Sequence, residues 1–499
     1  MRFTFTDVWA PVRRALYLTH RWLGILGCVL FVLWFISGLV MLHVRFPALT
    51  QQERLQNLTA MDLRKVTVAP ADVLAGLRVS NPRSVVLEGR DGDPGQLVWR
   101  VIDKDGGHHA VSASGSNIKN GPVSPDEARG IAAAFGKAPA VYLETRERDQ
   151  WSMPNSGPFD KARPLHRFAL EDDARTELYV SAKTGEVVRD TSAYERGWTT
   201  FGTLLHYYTY GPIRQYPDFW RQLVLWTSGV AMVVAASGLI IGTLRVRIRR
   251  RYRGTDSVTP YQGWMAWHHI LGLVGGIVIL TWIFSGWFSM GPNKWLAHQT
   301  PSAFPAKFGQ AQPVFTHNLA SLAQLAASNK PVKAIEAGWY DGRPVWTRFD
   351  ANANRHTVDA VSGEAVSVRA EELIKAAKAA FPSAAVEDIK LLTEPDLYWY
   401  SRHTPPVLPV WRIRLADTDA TWLHVDAISG RLLNATNSDS RLRRWLFNGL
   451  HSFDFPPFMK TTLWYVTIWV LSLIGLAASV SGVVIGWRRL RRPGQATGA

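Results

Sequence analysis

A single cysteine, Cys28, among 499 residues leaves no internal disulfide, cysteine zinc site or iron–sulfur cluster to consider. The sequence also lacks an HExxH helix and a G-x-G-x-x-G run after a strand, which excludes a zincin protease and a dinucleotide-binding domain of its own. Charge is missing from four long stretches: Trp22–Leu42, Gln222–Leu244, Met265–Met290 and Thr461–Trp487 contain no Asp, Glu, Lys or Arg. Each has the roughly 20 apolar residues needed to cross about 30 Å of hydrocarbon. The first is too long for a signal-peptide core and no small-x-small cleavage site follows Gly38, so it is expected to be retained. Cys28 lies in its middle and reads as small core filler.

What is abundant is positive charge, with a formal net value of +16. Its location argues against nucleic acid as a partner. Residues 44–205 carry 21 basic and 21 acidic side chains, and 292–460 carry 19 and 16. The excess instead flanks the apolar stretches, at Arg2, Arg13, Arg14 and Arg21, in the run from Arg245 to Arg253, and at Arg488, Arg489, Arg491 and Arg492. Positive flanks mark the cytoplasmic side. The expected layout is a cytoplasmic N-terminus (1–21), spans at 22–42, 222–244, 265–290 and 461–487, a cytoplasmic basic loop (245–264) and a cytoplasmic tail (488–499). Two large segments, 43–221 and 291–460, then lie outside, in the periplasm of a bacterium whose inner membrane holds the chain.

The chain reads as an internal duplication. At a shift of 248, His20, Leu23, Gly24 and Gly27 meet His268, Leu271, Gly272 and Gly275; Trp34 meets Trp282, and Ser37-Gly38 meets Ser285-Gly286. SGLIIG from Ser237 repeats as SGVVIG from Ser481, and LYVSAKTGEVV from Leu178 as LHVDAISGRLL from Leu423. Each half is a span, an outer segment and a returning span, so four spanning helices related by a pseudo-twofold axis are expected. Small residues such as Gly24, Ser37 and Gly38 suit close helix packing. Within the outer segments, helices are predicted from about Pro70, Ser124, Asn318 and Arg369. Strands with glycine turns are predicted at LVWRV (from Leu97) and VSASG (from Val111), at LYVSAKTGEVV, and at PVWTRF (from Pro344) with VDAVSGEAV (from Val358); WRIRL (from Trp411) with LHVDAISGRLL completes the set.

HRWLG opening the first span, the VDAxSG-type turns and a Leu-His pair ahead of a returning span that carries S-G and then arginines resemble the PepSY-associated transmembrane family, which includes iron-regulated membrane proteins and ferrisiderophore reductases. The resemblance covers nearly the whole chain. It implies two α+β periplasmic PepSY-like domains on a four-helix membrane bundle, two b-type haems with bis-histidine ligation, and reduction of ferric chelates such as ferrisiderophores. Some relatives look fused to flavin-reductase domains; this sequence shows no such domain, so a quinol or a cytoplasmic flavoprotein is expected as electron donor, with membrane lipid as its surroundings.

Two histidine pairs survive the duplication: His20 with His268, and His206 (in LLHYY) with His451 (in GLHSF). Equivalent positions face each other across the axis, which suits two axial imidazoles on one iron without an open site, an electron carrier rather than an oxygen-binding centre. One zinc ion cannot unite pairs at opposite membrane faces; purely structural histidines stay open as an alternative. His269 is a rival to His268 as ligand or a partner for a haem propionate, His43 is an interface residue or a ligand, and Arg21 is a propionate partner or an interface cation. Trp34 and Trp282 read as core packing or as lying between the haems, and Tyr207, Tyr208 and Tyr210 as an interfacial belt or a haem wall. In DLYWYSRHTPP, residues Trp399, Tyr400, Arg402 and His403 are chelate contacts or ordinary loop packing. Two other functions fit the same pattern: a non-enzymatic PepSY membrane protein that senses a ligand or regulates a periplasmic partner, and an electron conduit feeding a separate reductase.

Overall fold

The computed structural model describes residues 5–89, 96–115, 122–153, 157–249, 252, 257–296, 315–322, 325, 331–402, 404–459 and 462–491. They divide into two compact units, one drawn from residues 1–46, 197–297 and 442–499 and the other from 47–196 and 298–441.

The first unit is helical. Phe5–His43, Pro217–Arg245, Gly263–Ser289 and Thr462–Arg491 are long and apolar enough to cross a membrane, and the chain is a multi-pass membrane protein. The first helix begins at Phe5, well ahead of the expected span at Trp22; its 39 residues, at about 1.5 Å each, make it nearly twice as long as the hydrocarbon layer is thick. Burial is inverted relative to a water-soluble bundle. Leu26, Trp226, Val274 and Leu473 are exposed, whereas Ser37, Ser228, Ser237, Ser285, Ser472 and Ser481 are buried. Lipid gives apolar side chains no reason to hide, so small polar residues take the inside, where they let helices approach. The helices pack first on second, second on third, third on fourth and fourth on first, which sets the first and third on one diagonal. Gly475 on the fourth helix shows how tight this is, since a Cβ there would lie within 2.1 Å of the Phe35 ring on the first.

Among its described residues the second unit holds fourteen strands. In chain order they are β1 Ser84–Gly89, β2 Leu97–Ile102, β3 His108–Ser112, β4 Ala140–Arg146, β5 Leu165–Leu170, β6 Glu177–Ser181 and β7 Val187–Thr191. Then follow β8 Ala334–Tyr340, β9 Arg343–Phe349, β10 Arg355–Asp359, β11 Ala385–Leu392, β12 Val410–Ala416, β13 Trp422–Asp426 and β14 Leu432–Thr436. Two four-stranded antiparallel sheets, β4-β5-β6-β7 and β11-β12-β13-β14, share one order and each carries a helix. Pro125–Gly136 is started by a capping box between Ser124 and Glu127, and it lays Ile131 and Phe135 on Phe168 and Val180. Ala370–Ala380 lays Leu373 and Ala377 on Ile413, Leu423 and Val425.

The remaining strands form a single six-stranded sheet ordered β10-β9-β8-β1-β2-β3. The segments read from sequence as separate domains, 43–221 and 291–460, are therefore joined: β1 pairs antiparallel with β8, Leu87 opposite Ile335. A bare edge on either three-stranded piece would be a liability, and the pairing removes both. One core runs across this seam, with Trp99 and Trp346 fully buried and stacked 6.0 Å apart.

His317 adds a pH dependence to this core. It is buried, its Nε2 donates toward the carbonyls of Gly338 (3.0 Å) and Val345 (3.2 Å), and its ring lies 4.6 Å from that of Trp346. Burial pushes its pKa down to about 4. Because the unfolded chain then protonates first, the term is absent above about pH 6.5 and destabilises the folded unit as pH falls from there to about 4, by roughly 1.4 kcal/mol per pH unit. The full chain is expected to show a lower thermal midpoint at pH 5 than at pH 7 by tryptophan fluorescence, with a smaller difference in His317→Phe. Identical pH dependence in the two proteins would contradict a buried neutral imidazole.

Candidate functional site

The four histidines that the sequence repeat matches come together as two pairs, both within the helical unit. His20 and His268 stand on the diagonal first and third helices with ring centres 6.2 Å apart and ring planes at 39°. His206 and His451 also lie 6.2 Å apart, with planes at 80°. The second pair is carried by short helical segments ahead of the second and fourth helices. In each a π-helical turn, Thr200–Leu204 or Trp445–Gly449, leads into a single α-turn, Leu205–Tyr207 or Leu450–Ser452. A non-glycine residue in the left-handed region ends it: Tyr208 at φ 53° and Phe453 at φ 54°. Such strained, irregular turns cost about 1–3 kcal/mol and concentrate at functional sites. Indole N–H groups tie them to the helices that follow: Trp220 Nε1 donates to the Tyr207 carbonyl and Trp464 Nε1 to that of Ser452, both at 2.6 Å.

All four imidazoles are held the same way. His20 Nδ1 lies 3.0 Å from the Val234 carbonyl and 3.3 Å from Ser237 Oγ. His268 Nδ1 lies 3.0 Å from both the Ala478 carbonyl and Ser481 Oγ. His451 Nδ1 meets Ser285 Oγ at 3.0 Å and the Trp282 carbonyl at 3.2 Å, and His206 Nδ1 meets Ser37 Oγ at 3.0 Å. A carbonyl only accepts, so an Nδ1 beside one carries the hydrogen and the lone pair is left on Nε2. No Nε2 of the four has a hydrogen-bond partner among the described residues. A glycine follows every one of these serines. A Cβ would lie 2.7 Å from His20 Cε1 at Gly238, 3.3 Å from His268 at Gly482, 3.6 Å from His451 at Gly286 and 3.7 Å from His206 at Gly38, so the Ser-Gly step provides both a hydrogen-bond partner and a seat for the ring.

Burial pushes the pKa of His206 down to about 3, with the neighbouring His451 adding to it, and burial likewise lowers His451. Both are neutral at physiological pH, the form that ligates metal. Measured along the first helix, His20 and Ser37 are roughly 25 Å apart at about 1.5 Å per residue, so one pair lies toward each end of a span. Aromatic side chains occupy the stretch between them. Phe35 lies 6.0 Å from Trp282, and Phe31 6.1 Å from Trp34.

The other sequence candidates stand elsewhere. His269 is buried with both nitrogens engaged, Nδ1 with Thr259 Oγ1 at 2.7 Å and Nε2 with the Gly242 carbonyl at 3.0 Å; it fastens the loop before the third helix to the end of the second. His43 packs on Tyr465 and Trp469 of the fourth helix, ring centres 6.4 and 5.8 Å away. Arg21 is exposed and makes no hydrogen bond with the described residues. Tyr207 lies edge-on to His206 at 5.2 Å, Tyr208 lies 6.3 Å from Trp34, and the Tyr210 hydroxyl donates to the Thr200 carbonyl. In the loop from Asp396, Trp399 turns inward: it stacks on His424 at 4.7 Å and donates to the Val407 carbonyl, while Arg412 grips Asp396 at 2.6 and 2.7 Å. Tyr400 and Arg402 also have partners in the chain, and His403 lies outside the described residues. Sequence reasoning missed the roles of Ser37, Ser237, Ser285 and Ser481. Their signal was present in the four S-G steps, which read as repeat matches and, at Ser37-Gly38, as helix packing.

Fold and site together define a membrane protein with four long apolar helices among its described residues, paired half-buried imidazoles and a β-sheet unit. The model of the PepSY-associated TM region matches residues 17–332, more than half of the sequence, and the chain belongs to that family. The matched stretch contains His20, His206 and His268. No curated protein matches the chain.

Proposed function

We propose that this chain is an internally duplicated, di-haem b-type electron-transfer protein of a bacterial inner membrane, both termini cytoplasmic, that reduces ferric chelates such as ferrisiderophores in the periplasm. The observation that carries the proposal is the equal spacing of the two histidine pairs. Two axial nitrogens about 2 Å from one metal, with each ring's own half-width added, put the ring centres about 6 Å apart, and both pairs stand at 6.2 Å. The donor set fits as well, with two neutral imidazoles per site, the Nδ1 hydrogens taken up by protein and the Nε2 lone pairs free. His20 with His268 would hold one haem and His206 with His451 the other. Bound there, haem supplies reversible one-electron carriage without an open coordination position.

The protein's own part is to keep four rings neutral, oriented and out of water, so that little reorganises when charge changes. The seat of His269 supports His268 rather than its neighbour as the ligand of that pair, because recruiting His269 would break one of its two hydrogen bonds. Arg245, Arg247 and Arg249 beyond the second helix, with Arg488, Arg489 and Arg491 at the end of the fourth, support the orientation. Each ferric chelate takes one electron, and the ferrous product is held less well by oxygen-rich ligands. A quinol or a cytoplasmic flavoprotein would supply the electrons.

The test is optical. Purified protein reduced anaerobically with dithionite, then freed of excess reductant, should show b-type absorption bands that return to the oxidised form when a ferric siderophore is added, with ferrous iron trapped by ferrozine in step. Haem that stays reduced would reject the chelate as acceptor and favour a conduit to another reductase. A preparation without haem that retains a periplasmic partner would favour a sensor or regulator.

A further inference from the structure

We infer that Ser37, Ser237, Ser285 and Ser481 are positioning residues that fix the tautomer and ring angle of the four histidines and thereby set the reduction potential of each haem, an inference that rests on the di-haem reading above. Each hydroxyl bridges two groups. Its oxygen lies near the carbonyl three residues earlier in its own helix: Trp34 at 3.1 Å for Ser37, Val234 at 3.0 Å for Ser237, Trp282 at 3.0 Å for Ser285 and Ala478 at 2.6 Å for Ser481. The same oxygens stand 3.0, 3.3, 3.0 and 3.0 Å from the imidazoles of His206, His20, His451 and His268. A hydroxyl has one proton to give. Given to the carbonyl, it leaves the oxygen lone pairs to accept from Nδ1–H. That direction agrees with the three imidazoles that also touch a carbonyl directly, since an unprotonated Nδ1 could not approach one favourably.

An imidazole whose Nδ1–H is accepted by oxygen is the more electron-rich at Nε2, and so the stronger donor to a metal. A stronger donor stabilises ferric over ferrous iron. Removing the hydroxyl should therefore shift the equilibrium of that one haem toward the ferrous form. The hydroxyls also act on geometry. With the bridge on one side of each ring and the glycine seat beside it, the planes are held at 39° in one pair and 80° in the other. Helix packing alone does not explain the arrangement, because an alanine would pack in the same space while leaving each Nδ1–H with fewer acceptors.

The experiment uses the full-length purified protein. Haem stoichiometry, spectroelectrochemical midpoint potentials and the low-spin ferric EPR signal, which reports the angle between the axial rings, are recorded for wild type, Ser37→Ala, Ser481→Ala and Ser37→Thr. For each alanine variant the expected result is two haems retained, one potential moved positive by a roughly three- to tenfold shift in the ferric/ferrous equilibrium, about 30–60 mV at 59 mV per tenfold for one electron, and one EPR signal changed. Ser37→Thr keeps the hydroxyl and should return the wild-type values. Loss of a single haem in Ser37→Ala that Ser37→Thr restores would support the same role. Retained haem with potentials and EPR unmoved overturns the inference, and so does equal loss in Ser37→Ala and Ser37→Thr. A wild-type protein without haem overturns the di-haem reading itself, which keeps the two failures apart.

Discussion

Haem content should fall from two per chain to one in His206→Ala, and again from two to one in His268→Ala, measured as pyridine haemochrome against protein. On the di-haem proposal each substitution would remove one of the two imidazoles that hold a haem, from a different pair in each case. His269 is the demanding control. It stands next to His268 in sequence, yet both its nitrogens are spent on Thr259 and Gly242, so His269→Ala should keep two haems while loosening the loop before the third helix. His43→Ala should keep two as well, since its neighbours are Tyr465 and Trp469. The double variant His206→Ala/His268→Ala should hold none. Two haems persisting in both single variants would end the ligand assignment.

The second large effect comes from adding a single carbon. At Gly238 a Cβ would lie 2.7 Å from His20 Cε1 and 3.2 Å from its Nδ1, too close for the ring to stay. The ring cannot move outward without leaving the Val234 carbonyl and Ser237. Gly238→Ala should therefore displace His20 and release the haem shared with His268 while leaving the other in place. Overpacking of this kind costs about 1–3 kcal/mol, roughly five- to a hundredfold in occupancy. Gly38→Ala and Gly286→Ala make a sharp comparison. Their added carbons would stand 3.7 and 3.6 Å from His206 and His451, ordinary contact distances, and both variants should keep full haem. Equal haem loss at Gly238 and Gly38 would show that the seat is not what decides.

Much of this architecture was legible because it is written locally. Twenty uncharged residues in a row are a physical statement about hydrocarbon, and a helix long and apolar enough to cross stands at each of the four stretches. Ser124 with Glu127 marks a helix start by itself, and Pro70 and Ala370 begin helices where the pattern places them. The histidine pairs could be named from the sequence repeat, and the structure sets the two members of each pair 6.2 Å apart. What stayed hidden depends on partners remote in sequence. β1 and β8 are not among the strands that the alternation picks out, and nothing local says that they pair with each other, so one shared sheet was read as two domains. The proposal's preference for His268 over His269 rests on where Thr259 and the Gly242 carbonyl sit, and no periodicity encodes that. Nor does an S-G step reveal whether it faces another helix or an imidazole.

The seam of the six-stranded sheet carries a consequence for how the protein is made. Val86 pairs with Glu336, about 250 residues further along the chain, and the second and third spanning helices lie between them. At about 5–20 residues per second of synthesis, the free side of β1 waits roughly 10–50 s for its mate. Through that interval the nascent chain presents an open strand to any chaperone or neighbouring polypeptide, and the sheet can zip shut only after two more helices have been handed to the bilayer.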